Sequence, residues 1–166
     1  MDDQVNADAN LANGADNLPA IGMISQYVKD LSFESPSAPA IFQQQTQPNI
    51  EVEFGIAVNK VADDVHEVTV KIEVKAKSDT MTAFIVDLTY ASLFGVRNVP
   101  EDQLQPFMLG EAPRLMFPFA RRVVADAVRD GGFPPLMLDP IDFGSLYLQQ
   151  LAAKDQAEAE GAAGNA

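Results

Sequence analysis

The chain has 166 residues, 47% of them hydrophobic and 21% charged, with no cysteine and a formal net charge of −13. That length allows one domain with a sizeable core of its own. The missing cysteines exclude disulfides, thiolate metal sites and cysteine nucleophiles, and the charge argues against nucleic acid and anionic lipid as partners. The acidity is not confined to the ends. Residues 1–22 carry four acidic and no basic residues and residues 152–166 three and one, which leaves 17 acidic against 10 basic residues between them. A basic partner, or simple solubility, fits that balance.

The chain begins MDDQVNADANLANGADNLPA, rich in Asn, Asp, Ala and Gly. It has neither the basic nor the apolar region of a secretory signal. No stretch approaches the roughly 20 apolar residues of a spanning helix. A soluble, cytoplasmic protein without membrane insertion is expected. Residues 1–22 are expected to form a disordered acidic tail, residues 23–151 a single domain, and residues 152–166 a second acidic tail with, at most, a frayed helix at its start.

The first patterned stretch is KDLSFESPSAPAIF, residues 29–42. Leu31 and Phe33 alternate with Asp30, Ser32 and Glu34, a strand with one apolar and one acidic side. Pro36 and Pro39 should end its pairing and carry the chain, extended, toward Phe42. Two clear strands follow. Ile50, Val52, Phe54, Ile56 and Val58 alternate with Glu51, Glu53, Gly55, Ala57 and Asn59. Val68, Val70, Ile72, Val74 and Ala76 alternate with Glu67, Thr69, Lys71, Glu73 and Lys75. The short polar link around Asp63 and Asp64 predicts an antiparallel hairpin. In the next strand Phe84, Val86, Leu88 and Tyr90 occupy one face, and Met81, Ala83, Ile85 and Ala91 most of the other, interrupted by Asp87. A strand apolar on both sides wants cover on both sides.

The pattern then turns helical. APRLMFPFARRVVADAVRDGG carries Pro113 near its start and Gly131 and Gly132 at its end, the punctuation of a long helix. Arg121, Arg122, Asp126 and Arg129 form a narrow polar stripe on an otherwise apolar surface, so the helix should be buried around most of its circumference. Asp142 is placed to cap a shorter second helix, DFGSLYLQQLAAK. Strands segregated from helices predict an α+β fold: a four-stranded antiparallel sheet followed by a long helix and a shorter C-terminal one. The doubly apolar strand and the apolar helix point to an oligomer.

Catalytic signals are absent. His66 is the single histidine and has no nucleophile or metal partner in the pattern. Asp63 and Asp64 are turn residues. Gly131 and Gly132 end a helix rather than open one, the reverse of a phosphate loop. No known hydrolase or nucleotide motif occurs. Generous apolar area on a charged protein favours a binding role, with assembly alone as the competing explanation.

Four blocks in order, KDLSFESPSAPAIF, ADDVHEVTVKIEV, TAFIVDL and LMFPFARRVVADAVRDGGFPPLMLDPIDF, resemble the bacterial protein-export chaperone family SecB over about residues 27–150. The resemblance implies a cytoplasmic homotetramer, a dimer of dimers. Such a protein binds unfolded preproteins as a holdase, keeps them translocation-competent and delivers them to the SecA export ATPase, with no catalysis and no nucleotide or metal cofactor. It implies SecA contacts at Asp30, Glu34, Ile85 and Asp87. The family commonly has Leu and Glu at the last two positions, so apolar and anionic character are kept. It implies a tetramer interface at Val86, Leu88 and Tyr90, and client contacts at Ile50, Val52 and Phe54. The alternative is an oligomeric acidic adaptor or scaffold without client-holding activity.

Overall fold

A computed structural model describes residues 17–163. Its strands are β1 (Ala20–Glu34), β2 (Asn49–Ala62), β3 (Val65–Lys77) and β4 (Thr82–Arg97). They form one antiparallel sheet in the order β1-β4-β3-β2. Asp63 and Asp64 make the β2–β3 hairpin turn, as the alternation on either side predicts. β1 begins at Ala20, so Ala20, Ile21 and Gly22 belong to the sheet rather than to a tail. They pair with Arg97, Val96 and Gly95. Residues 1–16 of the expected tail lie outside the described residues.

Register stacks the apolar residues in rows across one face. Phe54, Ile72, Leu88 and Leu31 make one row, Val52, Val74, Val86 and Phe33 the next. This inner face lies under α2 (Ala112–Asp130), which buries Met116, Phe117, Ala120, Val124 and Val128 against β3 and β4. Val68, Val70, Ile72, Val74, Val86 and Leu88 lose all contact with water. Each such side chain contributes about 1.5–3 kcal/mol by burial.

The chain between β1 and β2 does not run extended. Residues 36–39 turn and Ala40–Gln43 form a single 3₁₀ turn, with the Ile41 amide donating to the Ser37 carbonyl at 2.9 Å and Ile41 buried in the core. The reason is packing. An extended run would leave Ile41 in water, whereas a coiled one tucks it beneath the sheet edge.

The helical region starts eleven residues earlier than its pattern predicts. α1 (Glu101–Pro106) leads into a π-helical segment (Phe107–Glu111) and then directly into α2. The Ala112 amide donates to the Phe107 carbonyl, one residue further back than in an α-helix. Pro106 and Pro113 flank that wide turn and disguise the helix in the sequence. Gly110 of the π segment lies against Gly144, where an added Cβ would meet the Gly144 Cα at 3.5 Å. This close approach seats the start of α3 (Phe143–Ala163).

Asp142 caps α3: the Ser145 amide donates to its Oδ1 at 3.0 Å and the Ser145 hydroxyl to its Oδ2 at 2.7 Å. Those bonds, the hydroxyl first, hold the Asp142 carboxyl below the usual aspartate range. α3 runs to Ala163, through residues 152–163 that were expected to be tail, with every residue from Leu148 onward exposed. Ala, Glu, Gln and Lys are strong helix formers, so the segment stays helical without burying anything.

The two sheet faces should respond oppositely to substitution. Leu88→Ala is expected to cost about 3 kcal/mol in urea unfolding, within the range for a buried leucine. Asp87→Asn on the outer face should be neutral or slightly stabilising, because Asp87 stands opposite Glu73, itself opposite Glu53.

Candidate binding surfaces

The outer face of the sheet carries the acidic set. Glu34 pairs directly with Ile85, Ser32 with Asp87, and Asp30 with Thr89. Asp30, Glu34, Ile85 and Asp87 therefore stand together on two adjacent strands. Asp30 and Glu34 are exposed, Ile85 and Asp87 half-buried. The row through Asp87 continues with Glu73 on β3 and Glu53 on β2. These are like charges at about the 5 Å separation of cross-strand neighbours. None of the three is in an ion pair among the described residues.

A bulge makes this arrangement possible. Register shifts between Val28 and Asp30, so Val28 points inward opposite Tyr90 while both Tyr27 and Asp30 point outward. Lys29, the extra residue, reaches Glu67 Oε1 at 2.7 Å, and the Tyr27 hydroxyl donates to Glu67 Oε2. Hydrogen bonds from Lys29 and then Tyr27 hold the buried Glu67 carboxyl below the usual glutamate range, against the opposing effect of burial. Donating that bond, and then burial, raise the Tyr27 hydroxyl pKa in turn. The sequence shows a trace of the bulge: Val28 and Leu31, both inward, are three residues apart where an unbroken strand needs two.

The inner face is covered only in the middle. On β2, Ile50 and Phe54 remain 40% and 37% exposed, with Val52 half-buried. Aromatic rings gather on either side of this margin. Phe33, Phe42, Phe84 and Phe133 form one cluster, with Phe84–Phe133 and Phe42–Phe133 centroids 5.0 and 5.2 Å apart. Ile50 shares a row with Ala76 and Phe84 of that cluster. Phe54, Phe117 and Phe143 form the other, at 6.2 and 5.7 Å. Beside Phe54 a cavity of about 100 Å³ opens among Ile56, Leu109, Leu146 and Tyr147. Gly131 allows the first cluster to close, since an added Cβ there would fall 2.1 Å from the Phe33 ring. Gly132, at φ +90°, turns the chain against Phe42. Neither the Phe42 nor the Phe133 position has a periodic neighbour that would reveal it in the sequence.

Val86, Leu88 and Tyr90 are not a surface in this chain. The chain's own α2 covers them, leaving Val86 and Leu88 at 0% and Tyr90 at 6% exposure. The apolar surface left on that side is Leu115 and Phe119 on α2, 39% and 46% exposed, and Val28 and Leu31 on β1. α2 is thus buried on one side only, where its composition predicts burial around most of it.

His66 borders a cavity of about 490 Å³ with Lys60, Glu101 and Asp102. No group of three or more metal-ligating side chains occurs among the described residues, and no helix among them is long and apolar enough to cross a membrane.

The family described as preprotein translocase subunit SecB matches residues 14–154. The chain belongs to the SecB family. Its members act as protein-export chaperones, which are not a class of enzyme. The chain is 60% identical over 157 residues to the protein-export protein SecB of Sphingopyxis alaskensis, covering 92% of this chain and 91% of that one. It is 59% identical over 150 residues to the SecB of Rhizorhabdus wittichii, covering 90% of each. Among solved structures, a SecB-like chaperone of Mycobacterium tuberculosis in complex with a ChAD peptide from an antitoxin superposes with a TM-score of 0.60. That match is 19% identical and covers 73% of this chain and 90% of the other; it supports the SecB fold of a four-stranded antiparallel sheet followed by helices.

The Glu67 cluster makes the outer face sensitive to acid. A carboxyl depressed in the folded state stabilises the fold above its unfolded pKa, and that contribution is lost as pH falls through the folded value. Stability measured by urea midpoint should therefore fall on acidification below the ordinary glutamate range, and Glu67→Gln should flatten the fall. An identical pH profile in the variant would contradict the assignment.

Proposed function

We propose that the protein is a holdase. It binds unfolded preproteins along the uncovered apolar margin of β2, keeps them translocation-competent, and passes them to the SecA ATPase docked on the acidic outer face. The observation that carries this reading is the margin itself. Ile50, Val52 and Phe54 sit between two aromatic clusters with only part of their surface covered. Unfolded chains offer scattered apolar side chains, and adaptable aromatic and methionine surface such as Phe42 and Met137, 51% and 62% exposed, accepts many of them.

The chain works as a homotetramer, a dimer of dimers, in the cytoplasm, and needs no cofactor and catalyses no reaction. Leu115 and Phe119 on α2, with the β1 margin, are the apolar surfaces available for that assembly, and Val86, Leu88 and Tyr90 support them from beneath. Several margins on one tetramer would then hold one client together, multiplying weak contacts by effective concentration.

For SecA, Asp30, Glu34 and Asp87 supply the charge and Ile85 the apolar contact. The unpaired row Asp87–Glu73–Glu53 is relieved when a basic partner approaches. The uncovered margins also fit the alternative of an acidic scaffold, in which assembly consumes them all.

A refolding experiment separates the two. Equimolar tetramer should arrest a slow-folding preprotein, and Phe54→Asp should weaken the arrest several-fold. Reversal of Asp30, Glu34 and Asp87 to Lys should weaken SecA binding about tenfold or more in low salt while the arrest persists. Unchanged refolding in the presence of the wild type would leave only the scaffold.

A further inference from the structure

Residues 133–142 strap the chain from the end of α2 to α3, and very little holds their backbone. Among the described residues, residues 134–141 make no backbone–backbone hydrogen bond. Both ends are seated by side chains, Phe133 in the first aromatic cluster and Phe143, only 1% exposed, in the second. In the middle, Leu138 is buried and its carbonyl accepts one bond, from the Arg121 Nη1–H at 3.4 Å. Met137 beside it remains 62% exposed.

Arg121 is unusual among the α2 cations. Arg114, Arg122 and Arg129 all pair with carboxylates. Arg121 pairs with none among the described residues; its guanidinium lies 5.9 Å from the centroid of the Phe117 ring and reaches the strap carbonyl from there. Phe117 in turn touches Phe54 of β2 and Phe143 of α3. A planar guanidinium can stack on a ring and donate along its edge at once, which an ammonium cannot.

We propose that Arg121 is a positioning residue for client binding: by joining the Leu138 carbonyl to the Phe117 ring, it fixes the strap that links the two aromatic clusters flanking the β2 margin. The proposal rests on the reading of the β2 margin as the client site. Without Arg121 the strap keeps its two aromatic anchors and loses its central one. The two clusters beside a bound client are then joined by a loose segment. Capture persists and retention shortens.

The test uses the full-length tetramer with Arg121→Met, which keeps the aliphatic stem and removes the donor, and Arg121→Lys, which keeps a charge and a donor without the plane. Two quantities are read: amide exchange of residues 136–141 without client, and the dissociation rate of an unfolded preprotein. Arg121→Met should speed exchange across the strap and speed client release about fivefold, the scale of one net hydrogen bond. Arg121→Lys should fall between it and the wild type, with SecA affinity unchanged in both. A merely structural role would instead lower the melting temperature and alter SecA binding in parallel, which overturns the proposal. So does unchanged strap exchange, or faster exchange with unaltered client release. Should Arg121→Met not fold, the same two readouts on Arg121→Lys decide. Failure of the underlying reading is distinguishable, because the wild type itself would then retain no client.

Discussion

One geometric mismatch governs this molecule: a sheet four strands wide, apolar across one face, is covered by a single helix. Four strands at a spacing of about 4.8 Å span roughly 19 Å, and a helix with its side chains covers about 10 Å. α2 therefore seals β3 and β4 and leaves margins on both sides. Complete burial of Ile72, Val74, Val86 and Leu88, set against 37–45% exposure of Phe54 and Leu31 in the Ile72–Leu88 row and of Ile50 and Val28 in other rows of the same face, is that mismatch in numbers. A second layer of helix would close the core and abolish the margins. The chain spends its remaining length otherwise, on the strap and on an α3 that is fully exposed beyond its first turns.

The two faces divide the work. The inner face is apolar and undercovered, which suits non-directional contact with chains that have no fixed structure. The outer face is charged, with Asp30, Glu34, Glu53 and Glu73 exposed. Its row of facing carboxylates on β4, β3 and β2 costs stability in isolation. The Lys29–Glu67–Tyr27 cluster next to it is fully satisfied and gives a rigid edge to an otherwise repulsive surface. On the proposed reading an apolar ligand and a basic partner are engaged at once, because the sheet itself separates the two.

Much of this was legible in the sequence. Period-two alternation in β2 and β3 is strict, so their pairing, hairpin and faces follow directly, and with them the outward position of Asp87 and the inward position of Phe54. α2 and the Asp142 cap were equally plain. What escaped depends on contacts distant in sequence. The helix over 101–111 hides behind two prolines and a π turn. The turn at residues 36–43 forms because Ile41 finds the core. The tail after Leu151 stays helical on propensity alone. The family resemblance, not the alternation, marks Val86, Leu88 and Tyr90 as interface, and the sequence does not say that the chain's own α2 covers them. Phe42 and Phe133 carry no periodic signal, and Arg121 reads only as one member of the polar stripe.

The most direct measurement is the mass of the native assembly with and without an unfolded preprotein. The margins left by α2 predict a four-chain assembly that takes up client while remaining intact. A single chain in solution, or a tetramer that binds no unfolded polypeptide, would contradict the account.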